Sequence, residues 1–231
     1  MKKIGRTIVK YVVIIVVLLV LTYVSFVSYQ NKTKLDYAAN VDKVAVTVDG
    51  KDLTLKDLSF YVLHQEYVVE RQAQVYNADN TRDFWNIHTN GYFLRGVAKK
   101  AVMGAAVHDQ IFCQEALKHH MVLSSDEKDQ LEDARTDFWD DLYDEQKQNN
   151  PSDDASVNEI IGHIALAEKY QRYLVKKHQT TYASYNWDGY DYTKLLKQHD
   201  VDEKSIWHRV VLGDITLRHH AVNYINGQSD E

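Results

Sequence analysis

Proline is almost absent from this chain: one residue in 231, with only nine glycines and a single cysteine. So few backbone breakers exclude a fold of many tight turns and favour long helices. One cysteine excludes an intrachain disulfide, so packing alone must hold the fold. That residue, Cys113, sits in an apolar helical run and reads as a small buried hydrophobe. Metal and nucleophile signatures are also missing. There is no His-Glu-x-x-His, no cysteine cluster and no Gly-x-Ser-x-Gly elbow. The pairs His119-His120 and His219-His220 each follow another histidine, His108 and His208, by eleven residues. On a helix that spacing separates them by roughly 16 Å, too far for one ion. The sequence therefore assigns no metal, no cofactor and no catalytic residue, and the chain is not read as an enzyme.

Basic residues are in deficit. Lys and Arg number 27 against 33 Asp and Glu, for a formal charge of −6. Residues 1–30 contain Lys2, Lys3, Arg6 and Lys10 and no acid, so the remainder carries about −10. A domain of that sign excludes nucleic acid as a partner, because phosphate binding needs clustered cations. Hydrophobic residues make up 45% of the chain, enough for a real core.

What is present begins with an uncharged run from Tyr11 to Asn31. Its apolar core, YVVIIVVLLVLTYVSFVSY, approaches the roughly 20 residues a membrane span needs, with tyrosines at both ends and basic residues before it. It is longer than the h-region of a cleaved signal peptide and lacks small residues at −3 and −1. The expectation is an uncleaved signal-anchor in residues 1–30, held in the lipid bilayer with a cytoplasmic N-terminus. Residues 31–42 then form a stalk, and residues 43–231 a cell-membrane-tethered, extracytoplasmic domain.

Val44, Val46 and Val48 alternate as in a strand that ends at Asp49-Gly50. Thr54 and Asp57 make a capping-box pattern ahead of a helix expected over 55–76. A polar loop is expected over 77–91, around Phe84 and Trp85. Further helices are expected over 93–120, with a small-residue stripe at Ala101, Gly104 and Ala105, and over 125–148 behind Ser124 and Glu127. After the break at Asn149–Ser152 another follows over 155–178. A short helix and a longer one, about 203–225, close the chain. IIGHIALAEKYQR from Ile160 and IWHRVVLGDITLR from Ile206 read as two similar helices.

This order resembles the N-terminal chaperone domain of SurA- and PrsA-type extracytoplasmic foldases, which is related to the peptide-binding domain of trigger factor. The residues matching its strand and helix-start pattern are Val44, Ala45, Val48, Asp49, Gly50, Leu53, Thr54, Asp57 and Leu58. FCQEALKHHMVLSSDEKDQL, Phe112 to Leu131, resembles the family's next helix junction. The likeness covers about Val44 to Gln148. Only 53 residues follow His178, without the Gly-rich strands of a parvulin domain, so no prolyl isomerase activity is carried over. The fold class expected is mainly α: a transmembrane helix, then a helical SurA N-terminal-like domain with one short strand or hairpin. The implied function is holdase-type binding of unfolded or secreted polypeptides. The alternative is an adaptor that holds one dedicated partner in a secretion or envelope complex. Whether two copies pair as a homodimer stays open.

One segment is rich in binding chemistry. Thr180 to Tyr192 holds Tyr182, Tyr185, Trp187, Tyr190 and Tyr192 within thirteen residues. Aromatic rings with a polar edge suit peptide recognition. The same residues more readily fold back as a packed loop over the helix ends. They are the candidate peptide- or partner-binding residues.

Overall fold

The computed structural model describes residues 16–23, 25, 35–89 and 92–219. The chain divides into two units, Met1–Leu35 and Asp36–Glu231. In the first, residues 16–23 are helical. Among the described residues no helix is long and apolar enough to cross a membrane. A span needs about 20 residues of continuous helix, and the stretch described here is well short of that. The transmembrane helix expected at Tyr11–Tyr29 is corrected accordingly, and with it the signal-anchor, the bilayer contact and the single-pass placement. Apart from Ser25, the remaining positions of that expected span lie outside the described residues.

The second unit opens with a hairpin. β1 (Val44–Val48) pairs antiparallel with β2 (Lys51–Thr54) through Asp49 and Gly50. Both turn residues have positive φ, 49° and 78°. Two consecutive left-handed residues make the tight turn whose twist matches flanking strands, which is why Asp-Gly stands here. A bulge between Val44 and Val46 breaks the alternation. Ala45 is therefore buried along with Val46 and Val48. β1 is also the centre of a three-stranded sheet in the order β2-β1-β5, β5 being Val201–Glu203 near the far end of the chain.

The Thr54–Asp57 box forms as the spacing predicts. Asp57 Oδ2 accepts from the Thr54 amide and hydroxyl, both at 2.7 Å. The helix behind it, α1 (Ser59–Tyr76), starts four residues later than expected. The amides of Leu55 and Lys56 are taken by the carbonyls of Lys43 and Val41, which holds 55–58 in a turn. The expected loop at 77–91 contains α2 (Thr81–Trp85), which seats a fully buried Trp85, and the first strand of a small pair, β3 (His88–Thr89) with β4 (Tyr92–Phe93). α3 (Leu94–Lys118) matches its expected span. Its most extensive packing is against α6 (Asp154–His178), also as expected, which Asp153 caps through the Ser156 amide at 2.8 Å.

The helix expected over 125–148 is two. α4 (Ser125–Asp141) carries the complete Ser124–Glu127 capping box, and α5 (Asp144–Gln148) follows. Between them Leu142 turns extended (φ −66°, ψ 142°). Its side chain joins Leu63, Val157 and Ile161 in a buried cluster, so burial outweighs helix continuation at this point.

The largest departure lies near the C-terminus. In place of a helix over 203–225 there are β5, α8 (Ser205–His208) and an irregular strap over 209–219; α7 (Tyr190–Leu196) precedes them. Residues 220–225 of the expected helix lie outside the described residues. Two glutamates of α1 account for the strap. Fully buried Glu66 accepts the amides of Gly213 (2.5 Å) and Thr216 (2.8 Å), and the Thr216 hydroxyl. Amides captured by a carboxylate cannot serve a helix. Glu70 accepts Trp85 Nε1–H at 2.8 Å and pairs with His219 at 3.0 Å. The likeness between the Ile160 and Ile206 segments is therefore one of hydrophobic spacing only. Around the strap it fills a core with Trp207, Val210, Leu212 and Leu217 rather than a helix face.

Candidate functional site

The five aromatic residues predicted as a binding segment separate into three roles. Tyr182 and Tyr190 stand in solvent, 42% and 71% exposed. The Tyr190 ring carries Lys194 Nζ 3.9 Å above its centre. Tyr185 is buried, with its ring near those of Phe112 and His178. Only Trp187 and Tyr192 line a cavity.

That cavity, about 650 Å³, lies along one face of α3, where Gly96, Lys100, Met103, Gly104 and Val107 recur at helical spacing. Trp187 forms a second wall. Its indole sits so close over Gly104 that any Cβ there would collide with the ring. The small-residue stripe thus admits an indole at Gly104. Trp207, buried on α8, and Leu196 on α7 close the far side. The rim is charged: Lys99 and Lys100 from α3, Asp200 and Glu203 from the β5 segment.

Hydrogen bonds fix this arrangement. Buried His108 on α3 holds the loop carbonyl of Tyr185 through Nε2 at 2.8 Å and meets Asp109 through Nδ1 at 2.7 Å. A backbone carbonyl can only accept, so Nε2 is the donor to Tyr185. The His108 ring also packs on Phe112 (4.2 Å) and Tyr192 (4.8 Å). Lys99 donates to the Val210 carbonyl at 3.0 Å and lies 5.6 Å from the Trp207 ring centre. Burial lowers its ammonium pKa, with Glu203 opposing that shift. Asp49 ties the hairpin turn to the rim, accepting from the Asp200 amide at 2.9 Å and pairing with His199 at 2.6 Å. The His199 hydrogen bond holds the Asp49 carboxyl below its ordinary pKa. Tyr192 is 1% exposed, and its hydroxyl has no hydrogen-bond partner among the described residues. Burial, with Asp109 nearby, raises its pKa.

An apolar hollow of this size with a few charged groups at its edge suits a ligand that is mostly hydrophobic. Sequence reasoning found Trp187 and Tyr192 by aromatic density. It missed Trp207, which it placed within a long helix, and the two glutamates that abolish that helix. A signal for Glu66 existed. It stands within the apolar stripe of α1, four residues after Val62 and three before Val69. Among the described residues no group of three or more His, Cys, Asp or Glu is placed to hold a metal ion. The chain matches no family model, no curated protein and no solved structure, so the likeness to the SurA and PrsA chaperone domain rests on the motifs quoted above.

Proposed function

We propose that this chain is a non-catalytic polypeptide-binding protein that holds apolar segments of non-native chains, in the manner of a holdase. One observation carries the reading: the open cleft of about 650 Å³ whose walls are Met103, Trp187, Tyr192, Leu196 and Trp207. A non-native client exposes apolar side chains, and covering one or two of them reversibly slows aggregation. Trp187, the one aromatic wall that is not fully buried, offers the ring face a ligand can reach, at low entropic cost because a ring has few rotatable bonds.

The test is aggregation of several unrelated, chemically unfolded proteins with and without near-stoichiometric full-length chain. Suppression for most clients, reduced severalfold by Trp187→Ala, is the expected result. A folded chain that suppresses none of them refutes holdase action.

A second reading is favoured by the limited size of the cleft, about 650 Å³. An adaptor that grips one segment of one dedicated partner needs no more than this. Client breadth separates the two: tight binding of one sequence with indifference to all others identifies the adaptor.

A further inference from the structure

The cleft has a second kind of wall, a strand with one edge unpaired among the described residues. β5 is the last strand in the order β2-β1-β5, and all three of its residues are exposed. Its hydrogen-bonding parity follows from two contacts. The Asp49 amide donates to the Asp200 carbonyl at 2.8 Å, and the Lys204 amide donates to the Ala45 carbonyl at 2.9 Å. Thr47 stands opposite Asp202 between them. Positions 200, 202 and 204 therefore face β1, and the N–H and C=O of Val201 and Glu203 point away from it. Val201 and Glu203 are also the strand residues that line the cleft.

We propose that this outer edge of β5 is where the polypeptide docks, as an added antiparallel strand with one apolar side chain inserted between Trp187 and Trp207. The inference rests on the polypeptide-binding reading above and specifies its geometry. An open edge is a template for any extended chain, and proteins that do not use one cover or bend it. β5 has no proline and no bulge against β1. Its guard is charge: Asp200 and Glu203 at the cleft, while Asp202 is paired with Lys204. Acids on the edge repel a second copy of β5, because self-pairing would set acid beside acid. They attract a strand whose polar positions are Lys or Arg. The occupant is thus an extended segment alternating basic and apolar residues, not a second copy of this chain.

Val201→Pro tests this directly. It deletes an N–H that faces outward, so the β1 ladder keeps its hydrogen bonds. The probe is a fluorescent peptide alternating Lys and Val around a central Trp, measured by anisotropy against the full chain. Two further peptides carry N-methyl groups at alternate backbone amides, one for each register. Edge docking predicts roughly tenfold weaker binding to Val201→Pro and a comparable loss for one methylated register only. Equal affinity of all three peptides, whatever Val201→Pro does, overturns edge docking while leaving side-chain binding in the cleft intact. Absence of binding by any peptide to the native chain rejects the polypeptide-binding reading and the edge with it.

Discussion

Glu66 and Glu70 stand one helical turn apart on α1, and their carboxyl pKa values move in opposite directions. Burial raises the pKa of Glu66 above its ordinary 4.5, despite four donors from the strap. For Glu70, burial also pushes upward, but hydrogen bonds from His219, Trp85 and Thr81 outweigh it and leave the carboxyl lowered. The consequences for stability have opposite signs. As pH rises above 4.5 the unfolded chain ionises Glu66 first, so the native state binds more protons there and loses stability through the native pKa. Glu70 stabilises the native state above 4.5, and that contribution disappears as pH falls through its native pKa. Thermal melts across pH should show both limbs. Glu70→Gln flattens the acid limb and leaves the other. Glu66→Gln removes the decline above 4.5 but points an amide at backbone donors. It should therefore cost about 2–4 kcal/mol overall, read as a Tm drop of roughly 5–10 °C. A Glu66→Gln chain that melts like the native one would show that the carboxylate does not anchor the strap.

At the scale of elements, Gly104 and the α4 cap can be tested separately. Gly104→Ala forces the Trp187 indole off α3. Overpacking of this kind costs about 1–3 kcal/mol, and here it also displaces a cleft wall. The expected outcome is a shifted tryptophan emission together with weaker peptide binding. Ser124→Ala removes an N-cap bond from a helix with no buried residue of its own. It should lower stability by about 1 kcal/mol without changing peptide affinity, since α4 contributes nothing to the cleft. These two sites also show what was legible in sequence. Local signals, such as the Asp49-Gly50 turn and the Ser124 box, were readable because their partners lie within a few residues. α3 and α6 were readable because their apolar spacing persists over many turns. The split at Leu142 and the strap over 209–219 were not. There the deciding partners, Val157 and Ile161 for Leu142 and Glu66 for Gly213 and Thr216, come from other segments of the chain. The aromatic segment stands out in the sequence, yet which of its rings line the cleft depends on His108, 77 residues before Tyr185 in sequence.

Across the whole molecule, the proposed polypeptide binding predicts that charge sets which partner the cleft admits. The chain carries a formal −6, and on the β5 side of the cleft stand Asp200 and Glu203. Lys204 already neutralises Asp202, and Lys99 is turned toward Val210, so Asp200 and Glu203 are the acids left at the cleft mouth, with Lys100 the cation beside them on the rim and His208 3.5 Å from Glu203. Two contributions to binding then separate experimentally. Apolar contact with Trp187 and Trp207 is insensitive to ionic strength, whereas attraction of a cationic segment to exposed acids is screened as the Debye length falls from about 10 Å at 0.1 M salt to about 3 Å at 1 M. A Lys-flanked peptide should bind more weakly as salt rises, mainly through a slower association rate. The same peptide with Glu in place of Lys should bind poorly at low salt and gain as salt rises. Replacing both Asp200 and Glu203 by their amides should abolish the difference between the peptides while leaving the affinity of an uncharged one unchanged. If the two charged peptides bind alike at low salt, the rim does not select by charge, and specificity must reside in the hollow between the two tryptophans.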